Sequence, residues 1–453
     1  MSVQPITTDS ETAQEDEVIS SSGSESEGEG FIYNQLEDNE KEPLELYRPG
    51  YLHPVVVGDI IRPDSSRCPN RPANSPTGYR ILHKLGHGGE ATVWLAQGLE
   101  TPERLVSLKV YSAHCHTAAE REARALRASA ATSNVPWSKH VLSLIDSFTI
   151  RGPNGIHHTH ISDVVLPMIQ APQLSACTKK DLLRGVARGL AHLHRCGFIH
   201  GDVHIGNVGC TMPPRFASAT IWEVMEPMGR YNVMMVLPVD PTQKRNSFPA
   251  YLLGPCALSY CYRTHRGKDP SWCPEARIFD LGNARHVRDE DNVAEDVRWA
   301  CPPPEAAFAH YALDGREILP TTASDVWCLG AMIAIIFSNM PISERNGKTS
   351  MVDFALLGGV LPPAWCQFWE TDPQLRTIAV TPTKSAQKWH KLHESILQEN
   401  PGVDGADVDR LISLLRRMLA VDSAARPSME EVLADPWFAA TRSVATEGAD
   451  PAM

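Results

Sequence analysis

Two acids and an amide stand where apolar strands hand over to loops. In Ile199-His-Gly-Asp-Val-His-Ile-Gly-Asn207, Asp202 and Asn207 are five apart, a spacing at which one loop presents a proton acceptor and a metal ligand together. In Ile278-Phe-Asp-Leu-Gly-Asn283, an apolar run delivers Asp280 to a turn, where a carboxylate is placed to hold Mg²⁺. Upstream, Lys109 lies in the strand-like Val106-Ser-Leu-Lys-Val110, and Glu122 follows in a helix-favouring stretch. A lysine held by such a carboxylate sets a fixed cation against phosphates. Leu85-Gly-His-Gly-Gly-Glu-Ala-Thr-Val93 contributes Gly86, His87, Gly88 and Val93, and its glycines let backbone N–H groups approach phosphate with no Cβ between. Alone this loop says little, since Ala91 stands where a third glycine would complete GxGxxG. Five such features in this order point to phosphoryl transfer.

The elements that must position these groups are legible in outline. Tyr79–Leu85, Thr92–Ala96 and Leu105–Tyr111 alternate as strands, and Val141–Ile150 and His160–Ile169 read as further strands. Ala118–Ser129 favours helix, and after Asp181 the residues Leu182, Leu183, Val186, Leu190 and Leu193 form one apolar helical face. A small β-rich part is thus followed by a larger helical one, without internal repeats.

The chain has 453 residues with 54 acids against 42 bases, a formal charge of −12. Residues 1–50 hold thirteen of those acids and only Lys41 and Arg48 as bases, so they carry −11 and the remainder −1. A strongly basic nucleic-acid binder is excluded as the default, and no direct nucleic-acid contact is expected. The apolar run Val326–Phe337 is too short to span a bilayer, so no membrane partner is expected. The first residues lack the pattern of a signal peptide, and eleven cysteines with no CxxC pair do not make a disulfide scaffold. The expectation is a reduced, soluble, intracellular monomer. Residues 1–46 read as a disordered acidic leader in which Ser22, Ser24 and Ser26 are candidates for phosphorylation, and 62–76 as a Pro-rich linker.

Taken together, the motifs resemble those of eukaryotic-type protein kinases, most of all the SR-protein kinase family in a divergent fungal form. The resemblance covers roughly residues 45–440. It also rests on Tyr47–Asp59 before the glycine loop, Asp280-Leu-Gly-Asn-Ala284, Pro304-Glu305, Ser324–Gly330, Leu357–Trp365, Ala425-Arg-Pro-Ser428 and Asp435-Pro-Trp-Phe438. It implies an α+β bilobal fold with a β-rich N-lobe over 79–170 and a helical C-lobe over 171–440. An extension and linker over 47–78 precede them, and a tail over 441–453 follows. ATP and Mg²⁺ would bind between the lobes, with Asp202, His204 and Lys109 as catalytic residues and Asn207 and Asp280 as metal ligands. Gly86, His87, Gly88, Val93, Lys109, Glu122, Pro167 and Met168 would hold the nucleotide, the last two within a hinge at Leu166–Ile169. Asp325 would brace the catalytic loop through its backbone, and Arg426 would be the buried partner of Glu305. Substrates would be proteins, Arg/Ser-rich splicing factors among them, and the location cytoplasm and nucleus.

Four departures from the family pattern stand out. The arginine of the HRD motif is Gly201, and the catalytic-loop lysine is His204. The segment 282–305 contains no Ser, Thr or Tyr, and an insert of about 210–275 separates Asp202 from Asp280. With neither an acceptor for phosphate nor an arginine to receive it, the enzyme is expected to be constitutively active. His-Gly-Asp-x-His-x-x-Asn is also how small-molecule kinases of the aminoglycoside and choline type write this loop, so that class and an inert pseudokinase scaffold are the alternatives. His114-Cys-His116 and His157-His-Thr-His160 are read as solvated loop residues rather than zinc ligands, and Cys256 and Cys261 as apolar filling. The insert is expected to pack on the C-lobe.

Overall fold

The computed structural model describes residues 31–32 and 41–439, apart from 65–70, 72–73, 133–134, 172–173, 218, 241, 243–245, 270, 290–296, 298, 300 and 346. Most of the expected leader and all of the expected tail over 441–453 lie outside the described residues.

Strands β1 (Phe31–Ile32) and β2 (Ile60–Ile61) precede three long ones, β3 (Tyr79–His87), β4 (Ala91–Gly98) and β5 (Leu105–Tyr111). Helix α1 (His116–Ala131) separates these from β6 (Leu144–Gly152) and β7 (Gly155–Ser162). The sheet runs β2-β3-β4-β5-β7-β6 with antiparallel neighbours throughout. Ile81, Trp94, Leu108 and Ile161 are buried on one side of it, and Leu82, Leu95 and Leu105 are buried on the other, so its central strands are covered on both faces. The expected solvated loop His157–His160 is instead the middle of β7, with His157 and His160 buried. Polar side chains masked that strand, whose start is set by the turn at Asn154-Gly155, where Gly155 has φ +138°.

A short strand, β8 (Val165–Pro167), leads into the second lobe, where α2 (Ala176–Arg195), β9 (Phe198–Ile199) and β10 (Val208–Thr211) follow. The Ser175 hydroxyl caps α2 by accepting from the Thr178 N–H at 3.2 Å. Its buried face is the expected one, Leu182, Leu183, Val186, Leu190 and Leu193, each contributing about 1.5–3 kcal/mol of burial. The insert contains α3 (Pro214–Ala217), α4 (Ile221–Met228), β11 (Val233–Met235), β12 (Leu237–Pro238), β13 (Tyr251–Leu253) and α5 (Leu258–Arg266). Then come β14 (Ala276–Ile278), β15 (Arg285–His286), α6 (Pro304–Ala312) and α7 (Thr322–Ser338). Helix α7 is buried on nearly every face, and a Thr321/Ser324 capping box starts it.

Two expectations about packing change. Residues 41–46 are not part of a free leader: Leu44 and Tyr47 share a small core with Leu52 from the extension and Val236 and Leu252 from the insert. Glu42 and Lys84 form a fully buried ion pair, and the Tyr47 hydroxyl donates to the same carboxylate. The insert, for its part, packs on both lobes. Val224, Met228, Cys256, Leu258, Cys261 and Tyr262 join the core of the helical lobe. The Cys256 N–H bonds Lys84 O at 2.8 Å, the Tyr231 hydroxyl bonds Leu82 O at 3.1 Å, and the Val57 N–H donates to Tyr251 Oη at 2.9 Å. Strand β10 pairs with β8 and β14, so the insert proper begins after Thr211. Cys256 and Cys261 do fill the interior, and burial pushes both thiols up to about 12.

Candidate active site

A cavity of about 520 Å³ lies between the lobes. Its roof is the hairpin of β3 and β4, where Gly86, Gly88 and Gly89 have nothing within 4 Å of a would-be Cβ, so their backbone is bare toward the opening. His87 and Val93 line the same roof.

Lys109 projects from β5 into the cavity. Its Nζ lies 2.9 Å from Glu122 Oε2 on α1 and 2.7 Å from Asp280 Oδ1 beyond β14. Burial by itself would discharge this lysine, but Asp280 and Glu122 outweigh it and hold the ammonium charged well above its ordinary range. Burial raises Glu122, more than Lys109 lowers it. Asp280 moves the other way: enclosure favours its neutral form, but Lys109 prevails, helped by His200 and His204, and keeps it ionised. Asp280 has φ +60°, a left-handed conformation seen in few non-glycine residues, which turns its carboxylate back toward the lysine.

The loop after β9 supplies the opposite wall. Asn207 Nδ2 donates to Asp202 O at 3.0 Å and to Asp202 Oδ2 at 3.1 Å, and Asn283 Nδ2 reaches the same oxygen at 3.4 Å. His204 Nδ1 accepts from the Gly206 N–H at 3.1 Å, which makes Nε2 the ring's donor, 3.6 Å from Asp202 Oδ2. The ring lies so close over Gly206 that a Cβ there would come within 2.7 Å, so histidine at 204 and glycine at 206 fit as a pair. Beneath the loop, buried Asp325 on α7 accepts from the His200 N–H at 2.9 Å, the Gly201 N–H at 3.0 Å and His194 Nε2 at 2.9 Å. This is the backbone brace expected of it. Gly201 has φ +78°, and its Cβ would meet Asn283 O at 3.0 Å, so an arginine there would be strained as well as absent. Farther out, Arg426 grips Glu305 through two bonds of 2.8 and 2.5 Å.

The inner wall differs from the expected hinge. Pro167 lines the cavity, but Met168 is buried in the core of the helical lobe and does not. Strand β8 is paired with β10, which moves the crossing between the lobes upstream; Ser162, Asp163 and Val165 line the cavity there. They and Asn283 were missed. Asn283 carries a signal within the Asp280–Ala284 motif, whereas the hinge differs because β7 ends at Ser162, short of the strand that the sequence predicts over His160–Ile169. Lys109, Glu122, Asp202, Asn207, Asp280 and the glycine loop are all brought to this one cavity.

The geometry can be set beside known proteins. No protein-family model matches the chain. A serine/threonine protein kinase of Aspergillus fumigatus is 26% identical over 413 residues, taking in 88% of this chain and 91% of that protein. The serine/threonine-protein kinase SRPK of Physarum polycephalum is 33% identical over 38% of this chain and 39% of its own length. SRSF protein kinase 3 of Homo sapiens is 28% identical over 41% of this chain and 33% of its own length. A crystal structure of a kinase domain superposes with a TM-score of 0.51 at 12% identity, covering 85% of this chain and 98% of that one. The fold is that of protein kinases, and the homologues are serine/threonine protein kinases with SR-protein kinases among them.

Proposed function

We propose that this homologue of the serine/threonine protein kinases transfers the γ-phosphoryl group of ATP to serine hydroxyls in Arg/Ser-rich proteins. One observation supports this above the rest: Lys109 is clasped by Glu122 and Asp280 in the same cavity where Asn207 and Asn283 orient Asp202. Within that reading, Asp202 accepts the proton of the attacking hydroxyl while its amide donors aim the carboxylate. Lys109 positions the phosphates, and the bare glycine backbone covers them. His204, as an Nε2–H donor, supplies a directional hydrogen bond where a lysine would supply a point charge.

The residues present fit Mg²⁺. Among the described residues no three acidic, histidine or cysteine side chains converge into a dedicated cage. Asp280 and Asn207 offer two oxygens beside the phosphate site, the partial set that suits an ion completing its shell with phosphates and water. When bound, it neutralises charge on the transferred group. Arg/Ser-rich splicing factors follow from the SR-protein kinase relatives, and action on them would place the protein in cytoplasm and nucleus.

The test is incubation with γ-labelled ATP, Mg²⁺ and an Arg/Ser peptide. Label on peptide serine supports the proposal. ATP binding without transfer selects a pseudokinase scaffold, and label on a basic small molecule but on no peptide selects a small-molecule phosphotransferase.

A further inference from the structure

Arg124 sits two residues after Glu122 on α1, about 200° round the helix, so the two side chains leave on opposite faces. Its guanidinium makes two parallel bonds to Asp289, Nη1 to Oδ1 at 3.1 Å and Nη2 to Oδ2, and lies 5.6 Å from the centre of the Phe198 ring. Asp289 is itself built into a turn: its N–H bonds His286 O at 3.0 Å, and its Oδ2 accepts from the His286 N–H at 3.3 Å. His286 belongs to β15, which pairs with β9, and β9 runs directly into the loop that carries Asp202. The Asp289 carboxylate thus joins the helix holding Glu122 to the segment after Asp280, which β15 ties by backbone pairing to the strand before Asp202.

From this we infer that the Arg124–Asp289 pair is a positioning device, a built-in substitute for a phosphate that holds α1 where Glu122 meets Lys109. The inference rests on the kinase reading above. Segment 282–305 offers no hydroxyl to phosphorylate, and Gly201 in its left-handed conformation is unsuited to an arginine, so the usual route to the same rigidity is closed. Asp289 supplies one fixed negative charge in bidentate geometry, where a phosphate would supply nearly two on demand.

The test compares Arg124→Ala, Asp289→Ala, their double and the exchanged pair Arg124→Asp with Asp289→Arg. Transfer to an Arg/Ser peptide and the ATP/Mg²⁺ thermal shift are measured at low and high salt. Each single change should lower kcat/KM for ATP about two- to fivefold at low salt, the range for a half-exposed ion pair. The double alanine should be no worse than either single, the exchanged pair should recover most of the loss, and phosphatase treatment should change nothing. Singles at native kcat/KM, additive losses or an exchanged pair as poor as the singles would overturn the inference. If the native protein binds ATP without transfer, the kinase reading fails, and the ATP/Mg²⁺ shift still decides this one: weaker binding in both singles with recovery in the exchanged pair upholds it, and unchanged binding overturns it.

Discussion

Lys109 on β5 and Lys84 on β3 belong to the same sheet, and both are held by glutamate, yet their settings are opposite. Lys84 has no exposed surface; Glu42 is its carboxylate partner, with the Trp94 ring centre 5.4 Å away. Burial, only partly offset by Glu42, pulls its ammonium below the ordinary range. Lys109 opens onto the cavity, has a second carboxylate in Asp280, and is pushed up. The same pair of residue types therefore does two jobs. One neutralises itself to fasten residues 41–46 against the sheet. The other keeps surplus negative charge beside it, so that it stays ionised at the place where phosphates are expected.

Removing each lysine should separate the two jobs. Lys109→Ala should lower transfer by two orders of magnitude or more while the thermal midpoint stays within a few degrees, since its role is charge stabilisation of the transferring group. A variant that melts early instead would make Lys109 structural. Glu42→Ala should do the reverse and cost about 3–5 kcal/mol of stability by stranding a buried cation, read from denaturant unfolding, with turnover per folded molecule unchanged. Replacing both partners, Glu42→Leu with Lys84→Met, should restore most of that loss.

Acid should act through buried histidines, two of them at the small lobe and one, His140, packed against α2 and β14. Burial pushes His53, His140 and His157 down to about 4 from an ordinary 6.5. The unfolded chain binds their protons below 6.5 and the folded one does not, so this contribution is intact above 6.5 and lost as pH falls toward 4. Near pH 5 stability should fall by about 1.4 kcal/mol per pH unit for each such histidine, measured by denaturant unfolding across pH 4–8. A flat profile would mean these rings are hydrated. Smallest of all, Tyr251→Phe should cost about 1 kcal/mol by leaving the Val57 N–H without its acceptor, a check that the insert grips the N-lobe extension.

The two lysines also show what a sequence discloses. Lys109, Glu122, Asp202, Asn207 and Asp280 are legible because their chemistry needs fixed types at short spacings beside apolar strands. The α2 face was legible from its period, and Asp325 and Arg426 from their motifs. Lys84 carried no such signal: its partner is 42 positions upstream in a stretch whose charge suggested a tail. The N-lobe contacts of the insert were hidden for the same reason, because Tyr231, Tyr251 and Cys256 find partners that no local pattern specifies. In β7, buried histidines imitated a loop, and the hinge was displaced with it.

The role of Asp202 as proton acceptor in phosphoryl transfer is open to a direct measurement. It is tested by comparing native protein with Asp202→Ala in transfer of label from γ-labelled ATP to an Arg/Ser peptide, alongside the ATP/Mg²⁺ thermal shift of both. The expected result is peptide labelling by the native protein, a rate about 10²–10⁴-fold lower in the variant, and a retained thermal shift. Normal turnover by Asp202→Ala, or ATP binding with no transfer by the native protein, would contradict it.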